Sequence, residues 1–214
     1  MRAGRRVRTR MSAMAIVFAR EKFKNLILYV SKKSEDDPRF GAVKLNKICY
    51  YADFDAFRKL GQPITGATYQ CLREGPAPRE LLPVRASMIG ESIEIKTTPV
   101  GPYTQHRIVP LIDPDESLFN EDELRIVDQV IEALWPMNGK EVTLLSHTEP
   151  GWINAESRGD IGYDTAWMKD DGSVTPMVEQ VWARWHANDF ENYRRDLEEN
   201  GELSLDEVRS RYGL

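Results

Sequence analysis

The sequence predicts an α+β fold: a predominantly helical domain around a central aromatic-rich helix at about residues 43–60, a small antiparallel sheet, and a helical C-terminal extension. Three observations predict it. Residues 43–60 carry apolar side chains on two opposite sides at helical spacing, and such a helix is normally packed on both sides. Two β-like runs, 92–98 and 103–109, are joined by a proline-containing turn, which predicts a hairpin. An Asn-x-x-Glu start signal at residue 120 opens another amphipathic helix.

Composition limits the classes of function. The chain has 214 residues, a net charge of −5 and 41% hydrophobic residues, as expected for an ordinary soluble globular protein. The negative charge argues against non-specific nucleic-acid binding as the main activity. Cys49 and Cys71 are too few for a disulfide framework and predict reduced core residues in a cytoplasmic protein. No apolar run approaches the roughly 18–20 residues of a membrane span, so no membrane partner is expected.

The chain divides into three regions. Residues 1–14 form a basic, disordered leader, residues 15–157 form the domain, and residues 158–214 form a linker with a helical C-terminal extension. The leader contains five arginines: Arg2, Arg5, Arg6, Arg8 and Arg10. The extension places four apolar side chains on one helical face: Val178, Val181, Trp182 and Trp185. We expect this face to dock on the body of the protein, since a large exposed apolar patch lowers solubility.

The predicted helix at 43–60 has three kinds of surface. One apolar stripe contains Leu45, Ile48, Cys49, Ala52, Ala56 and Leu60, and the opposite stripe contains Tyr50, Phe54 and Phe57. The remaining polar strip contains Lys44, Lys47, Tyr51, Asp55 and Arg58. Asp53 lies between the apolar stripes, so it must find a hydrogen-bond donor. Gly61 is expected to end the helix as a C-cap.

The other elements follow from shorter patterns. A first helix is predicted at 15–32, and helices at 120–134 and 140–147 follow the sheet. Residues 67–73 are predicted to be a strand that joins the hairpin as its third member. The sequence Gly-Pro-Ala-Pro at 75–78 is interpreted as a rigid corner, after which Pro78 starts a short helix that ends near residue 88.

No residue pattern predicts catalysis, a cofactor or a metal. The sequence lacks a G-x-S-x-G elbow, a phosphate-binding P-loop and a G-x-G-x-x-G turn. Ser146 and His147 are adjacent on a predicted helix, so their side chains point about 100° apart and do not form a triad. We therefore expect a protein that is not an enzyme, in which His147 is a buried hydrogen-bonding residue.

Two sets of residues are candidates for binding a partner. Tyr51 projects from the polar strip together with Lys47 and Arg58, and Tyr and Arg are frequent at interface hot spots. Gly75 and Pro76 lie in the rigid corner, which is ordered before any partner arrives and therefore loses little entropy on binding. The sequence alone does not show which surface is used.

Four short segments carry a resemblance to a known family. They are Lys44-Leu45-x-Lys47 with Tyr50-Tyr51-Ala52-Asp53, Gly61-x-Pro63-Ile64-Thr65-Gly66, Gly75-Pro76-Ala77-Pro78, and Leu145-Ser146-His147 with Trp152. In this order and spacing they resemble the Panacea (SocA-like) antitoxin family, over roughly residues 23–155. The resemblance implies a mostly helical domain with a small sheet, and structural roles for Asp53, His147 and Trp152.

The resemblance also implies a function. Members of the family are the antitoxin half of a two-gene pair and neutralise a cognate toxin protein by direct binding. Two alternatives remain open: an adaptor that delivers the toxin to an energy-dependent protease, and a DNA-binding autoregulator that uses residues 1–13. A homo-oligomer is also possible.

Overall fold

The computed structural model describes residues 15–100 and 103–168 of the chain. The six α-helices of these residues are α1 (Arg20–Lys33), α2 (Ala42–Leu60), α3 (Leu81–Met88), α4 (Glu121–Leu134), α5 (Gly139–Ser146) and α6 (Pro150–Asn154). The five strands are β1 (Tyr69–Leu72), β2 (Gly75–Pro78), β3 (Ile93–Val100), β4 (Tyr103–Pro110) and β5 (Asp160–Ile161). Two short 3-10 helices lie at Glu116–Leu118 and Tyr163–Trp167. The predicted α+β class is confirmed.

Helix α2 is the centre of the domain, as its two apolar stripes predict. It contacts α1, α4, α5, β2, β4 and the 3-10 helix at 163–167. Both stripes are buried, from Leu45 and Ile48 on one side to Tyr50 and Phe57 on the other, except for the terminal Leu60, which is 39% exposed. The helix ends at Gly61, whose φ of 76° is the left-handed conformation that glycine adopts most easily, and whose N–H donates to the Phe57 carbonyl.

Aromatic rings fill the space between α2 and the elements that cover it. Phe54 is central: its ring centroid lies 4.3 Å from that of Tyr50, 5.4 Å from that of Tyr69 and 4.8 Å from that of Tyr163. Such offset and edge-to-face pairs add to the stabilisation from apolar burial, by about 0.5–1.5 kcal/mol each. The cluster therefore joins α2, β1 and the 3-10 helix at 163–167 into one core.

The first sheet has the strand order β2–β1–β5, and both pairs are antiparallel. Tyr69 pairs with Pro78 on one side and with Ile161 on the other. Residues 75–78, which were interpreted as a corner, are therefore a strand. The prolines are tolerated because β2 is an edge strand, where a missing N–H need not break the sheet's ladder.

The predicted hairpin of β3 and β4 is confirmed, with pairs from Ile93–Pro110 to Val100–Tyr103. It forms a separate two-stranded sheet, so the prediction that residues 67–73 join it as a third strand was wrong. Its inner end is buried at Ile93 and Ile108, whereas residues 96–100 are exposed.

The helix start signals were accurate where a side chain caps the backbone. Asn120 accepts a hydrogen bond from the Glu123 N–H, and Glu123 accepts one from the Asn120 N–H, which is the predicted capping box. Asn138 and Glu141 form a second such box at the start of α5. Helix α1, which has no capping side chain, begins at residue 20 rather than 15.

The domain extends beyond the predicted boundary at residue 157. Strand β5 pairs with β1, and Ile161, Tyr163 and Trp167 are buried in the core. Residues 160–167 therefore belong to the domain rather than to a linker. The predicted leader at 1–14, and the extension from residue 169 onward, lie outside the described residues. Among residues 15–100 and 103–168, no helix is both long and apolar enough to cross a bilayer.

Both cysteines match the prediction that they are reduced core residues. Cys49 is fully buried on α2, and Cys71 is buried on β1; neither forms a disulfide. Burial raises the pKa of each thiol, because a thiolate is poorly solvated there.

Candidate functional site

Lys47, a candidate for binding a partner on the polar strip of α2, is buried in the structure. Its side chain lies under the turn between β1 and β2 and is only 1% exposed. The Nζ atom donates to the carbonyls of Glu74, at 2.6 Å, and Pro76, at 2.9 Å. Burial lowers the pKa of Lys47 to about 7, and the charge of Glu74 opposes this shift. The lysine therefore holds the backbone of the turn from below.

Gly75 sits directly against this lysine. Its φ is +89°, a conformation that side chains disfavour. A Cβ atom at this position would lie 2.6 Å from the Lys47 Nζ and 2.2 Å from the Ser146 Oγ. Pro76, the next residue, is buried. The close approach of lysine and serine to the turn thus requires glycine at position 75.

His147 and Trp152 also support this turn. Their rings are stacked, with centroids 4.0 Å apart and planes inclined by 14°. The indole N–H of Trp152 donates to the Leu72 carbonyl at 2.9 Å. The pKa of His147 is lowered, first by burial and then by the nearby charge of Lys47. The imidazole Nε2 is buried and has no hydrogen-bond partner within the described part of the chain.

These residues form one structural unit, which we call the hairpin clamp: Lys47, Gly75, Ser146, His147 and Trp152. They come from α2, β2, α5 with its C-cap, and α6. The clamp fixes the hairpin backbone, yet the side chains at the tip of its turn point into solvent. The side chains of Arg73 and Glu74 are 95% and 73% exposed. The arrangement is suited to presenting a rigid turn.

Asp53 forms a second polar centre on α2 and has the donors that the sequence requires of it. The carboxylate accepts hydrogen bonds from the Thr65 N–H at 2.7 Å, the Thr65 hydroxyl at 2.5 Å, the Tyr69 hydroxyl at 2.9 Å and the Tyr163 hydroxyl at 3.3 Å. Burial raises its pKa to about 6, although each of these hydrogen bonds opposes the shift. Asp53 thus ties α2 to the 61–66 loop, to β1 and to the last 3-10 helix.

Tyr51 and Arg58, the other two candidates for binding a partner on this strip, are also buried. Tyr51 is 3% exposed and Arg58 is 8% exposed. Arg58 donates to the Asp55 carboxylate at 2.7 Å. Burial is the main cause of the raised pKa of Tyr51, and a hydrogen bond with Glu149 contributes to it. The polar strip is covered rather than solvated: Arg58 pairs with Asp55, and Lys47 donates to backbone carbonyls of the turn.

Lys44 shows the same effect at the start of the polar strip. Its Nζ atom contacts the Asp37 carboxylate at 2.5 Å and the Trp135 carbonyl at 3.0 Å, and both charged side chains are almost fully buried. Solvated charges and internally paired charges recur at the same helical spacing, so sequence periodicity does not distinguish between them. Asp37 comes from the loop before α2, and no local signal indicates that it pairs with Lys44.

The described residues contain no group of three or more His, Cys, Asp or Glu side chains that could hold a metal ion. Ser146 donates its hydroxyl to the Thr143 carbonyl at 2.8 Å. Of the residues singled out from the sequence, Lys47, Gly75, His147 and Trp152 belong to the clamp, and Pro76 accepts a hydrogen bond from Lys47. Asp53 and Arg58 lie elsewhere on α2. Tyr69 and Tyr163, which hold Asp53, were missed because nothing in their local sequence reports the contact.

Comparison with known proteins identifies the domain that carries the clamp. No curated protein matches the chain. Residues 45–153, slightly more than half of the chain, match the family model described as antitoxin SocA-like, Panacea domain. The matched range contains every residue of the hairpin clamp and also Asp53. The chain therefore belongs to the SocA-like Panacea family of antitoxin domains.

Proposed function

We propose that this protein is a cytoplasmic antitoxin that neutralises a co-encoded toxin by binding it directly, without catalysing a reaction. Membership of the family implies a cognate toxin partner. The observation that carries the proposal is the hairpin clamp, in which α2 and the segment at 146–152, about 100 residues apart in the sequence, converge under one exposed turn. The proposed contact is that turn, at residues 73 and 74.

The physical argument concerns the entropy of binding. A turn held by hydrogen bonds at residues 72, 74 and 76 loses little conformational freedom when a partner covers it. Its exposed Arg73 belongs to a residue type that is frequent at interface hot spots, and Glu74 supplies the opposite charge. An interface of ordinary size, about 800 Å² on each partner, would extend from the turn over the neighbouring surface.

This proposal changes the role of the residues first chosen as contacts. Lys47 and Gly75 act by shaping the turn, because both are covered by other parts of the domain. Tyr51 and Arg58 are equally covered, so their substitution would affect binding only through the stability of α2. The side chains that would touch the toxin are those of residues 73 and 74.

The experiment is co-expression of this chain with the product of each neighbouring gene. We expect one neighbour to be toxic alone, to be harmless together with this chain, and to co-purify with it as a stable stoichiometric complex. A toxin level that falls in the presence of this chain, and only in cells with an energy-dependent protease, would instead indicate the adaptor alternative. If no neighbour is toxic or bound, the proposal is wrong.

A further inference from the structure

The hairpin of β3 and β4 is exposed on both faces at its outer half. Residues 96–100 of β3 are all exposed, and their side chains alternate between the two faces. On β4, Thr104 and His106 are exposed as well, opposite Pro99 and Thr97. A two-stranded hairpin is marginally stable in water, and further strands are what normally stabilise it. The outer half is therefore suited to pairing with another strand.

The backbone of β3 alternates between pairing with β4 and pointing away from it. The Ser92 carbonyl accepts a hydrogen bond from the Leu111 N–H at 2.8 Å, on the side of β4. The Ile93 carbonyl points to the opposite edge, where it accepts from the Gly90 N–H at 2.9 Å. Because the pairing with β4 is regular along the whole strand, alternate residues continue this pattern. The odd-numbered residues of β3 therefore direct their N–H and C=O groups away from β4.

Beyond Ile93, these outward-pointing groups have no hydrogen-bond partner in the described part of the chain. They are the N–H and C=O groups of Ile95 and Thr97 and the C=O group of Pro99, which has no N–H. No described strand other than β4 pairs with β3 at residues 94–100. We call the outward-facing backbone of residues 94–100 the free edge. Such an edge is a template for pairing with another chain.

A second copy of this strand fits the free edge when the two run antiparallel with Thr97 at a two-fold axis. The free edge has three residues on either side of Thr97, so the two copies overlap over its whole length. The N–H of each Thr97 then donates to the Thr97 carbonyl of the other copy. The N–H of each Ile95 donates to the Pro99 carbonyl of the other copy. Each copy thus uses both N–H donors of its free edge.

The side chains agree with this register. Lys96 lies opposite Thr98 of the second copy, so no like charges face each other directly. Ile95 lies opposite Pro99 of the second copy, which adds an apolar contact at each end of the ladder. An axis at residue 96 would instead place the two lysines opposite each other. The charges therefore favour the axis at Thr97.

Exposed aliphatic side chains lie at both ends of the free edge. Val100 at the outer end is 53% exposed. Ile89, which forms a bridge with Ile93 at the inner end, is 52% exposed. In an antiparallel pair, the outer end of one copy meets the inner end of the other, so Val100 of each copy lies near Ile89 of its partner. The edge is thus complementary to itself, as a two-fold interface requires.

We propose that the free edge of β3 pairs with the free edge of a second copy of this chain. The two hairpins then form one continuous four-stranded antiparallel sheet. The contact is smaller than a standard interface, which buries about 800 Å² on each partner, so the dimer is weak and depends on protein concentration. The proposal is independent of the proposed toxin, because β3 is not part of the hairpin clamp.

Sedimentation equilibrium of the full chain tests the proposal. We expect the average mass to rise from that of one chain towards that of two between about 10 µM and 1 mM protein. Thr97→Pro removes the N–H at the axis, which β4 does not use, and should keep the mass of one chain. Thr104→Pro is the matched control: its N–H points away from β3, so the rise in mass should remain. Thr98→Glu places a carboxylate opposite Lys96 of the second copy and should shift the rise to several-fold lower concentration.

Cross-linking tests the same register without a proline. Thr97→Cys places two thiols at the axis, where the Cα atoms of directly paired residues are about 5.5 Å apart, within the range of a disulfide. We expect mild oxidation to give a covalent dimer. Thr104→Cys is the control, since it is equally exposed but lies on β4, and it should cross-link much more slowly. The native Cys49 and Cys71 are buried and do not compete.

Four results would overturn the proposal. The first is the mass of one chain at every concentration. The second is a rise in mass that a folded Thr97→Pro variant does not reduce, since the interface would then lie elsewhere; if this variant unfolds, the cross-linking decides. The third is equal cross-linking of the Thr97→Cys and Thr104→Cys variants. The fourth is a shift of the amide NMR signals of residues 94–100 only on addition of the toxin, which would assign the free edge to the toxin.

Discussion

The two hairpins of this domain have the same secondary structure and very different support. The β1–β2 hairpin accepts hydrogen bonds from Lys47 and Trp152, Ser146 packs against its Gly75, and all four residues of β2 are buried. The β3–β4 hairpin is anchored at its inner half and exposed from residue 96 to residue 100. The comparison teaches that the short hairpin is fixed by side chains of other elements, whereas the long one is tied to the loop at 34–40 by its own Gln105 and Arg107 side chains, which donate to backbone carbonyls there.

Substitution of one glycine at each hairpin should give the largest difference in the free energy of unfolding. Gly75→Ala would force a Cβ atom against Lys47 and Ser146 in a disfavoured conformation, and we expect it to lower the free energy of unfolding by about 3 kcal/mol. Gly90→Ala, just before β3, is the control: its φ is +81° but nothing lies within 4 Å, so about 1 kcal/mol is expected. Denaturant unfolding measures both. Equal losses would show that the clamp does not crowd position 75.

The second prediction concerns the buried charge of the clamp. The pKa of Lys47 is about 7 in the folded protein and 10.5 for an ordinary lysine, so between these values the unfolded chain binds more protons at this residue. The free energy of unfolding should therefore rise with pH across this range, by a few kcal/mol at most. Lys47→Met removes the group and should flatten the curve. We would compare unfolding of both proteins from about pH 7 to pH 10; parallel curves would contradict the assigned burial.

A smaller loss of stability is expected from substitution of Trp152. Trp152→Phe keeps an aromatic ring against His147 but leaves the Leu72 carbonyl without its indole donor, which should cost about 1–2 kcal/mol. Trp135→Phe is the matched control, since the indole N–H of Trp135 has no hydrogen-bond partner within the described residues. Thermal unfolding of the two variants makes the comparison. If Trp135→Phe costs as much, ring size rather than the hydrogen bond matters.

The smallest change in stability is expected from a substitution in the outer half of the β3–β4 hairpin. Thr98 is exposed and pairs with Gln105 across the ladder. Thr98→Ala should change the free energy of unfolding by no more than about 0.5 kcal/mol, as for most surface substitutions. Chemical denaturation is sufficient to test this. A loss comparable to that of Gly75→Ala would mean that the outer half is packed against something after all.

The parts of this fold that depend on local patterns could be predicted from the sequence. The two stripes of α2 predicted a central helix, and Asn120 with Glu123 predicted where α4 begins. The pairing of Tyr69 with Ile161 could not be predicted, because the partners are 92 residues apart and β5 has only two residues. The burial of Lys47 was missed for a similar reason: its acceptors are backbone carbonyls of a distant turn, which leave no mark on the sequence around the lysine.

The central claim is that the clamped turn binds the toxin, and paired charge variants test it most directly. Arg73→Ala with Glu74→Ala removes one exposed basic and one exposed acidic side chain from the turn. Glu94→Ala with Lys96→Ala removes an equivalent exposed pair from β3. Titration calorimetry with the co-purified toxin should show at least about a tenfold loss of affinity for the first variant, and little change for the second. Unchanged affinity of the turn variant, with both proteins folded, would contradict the account.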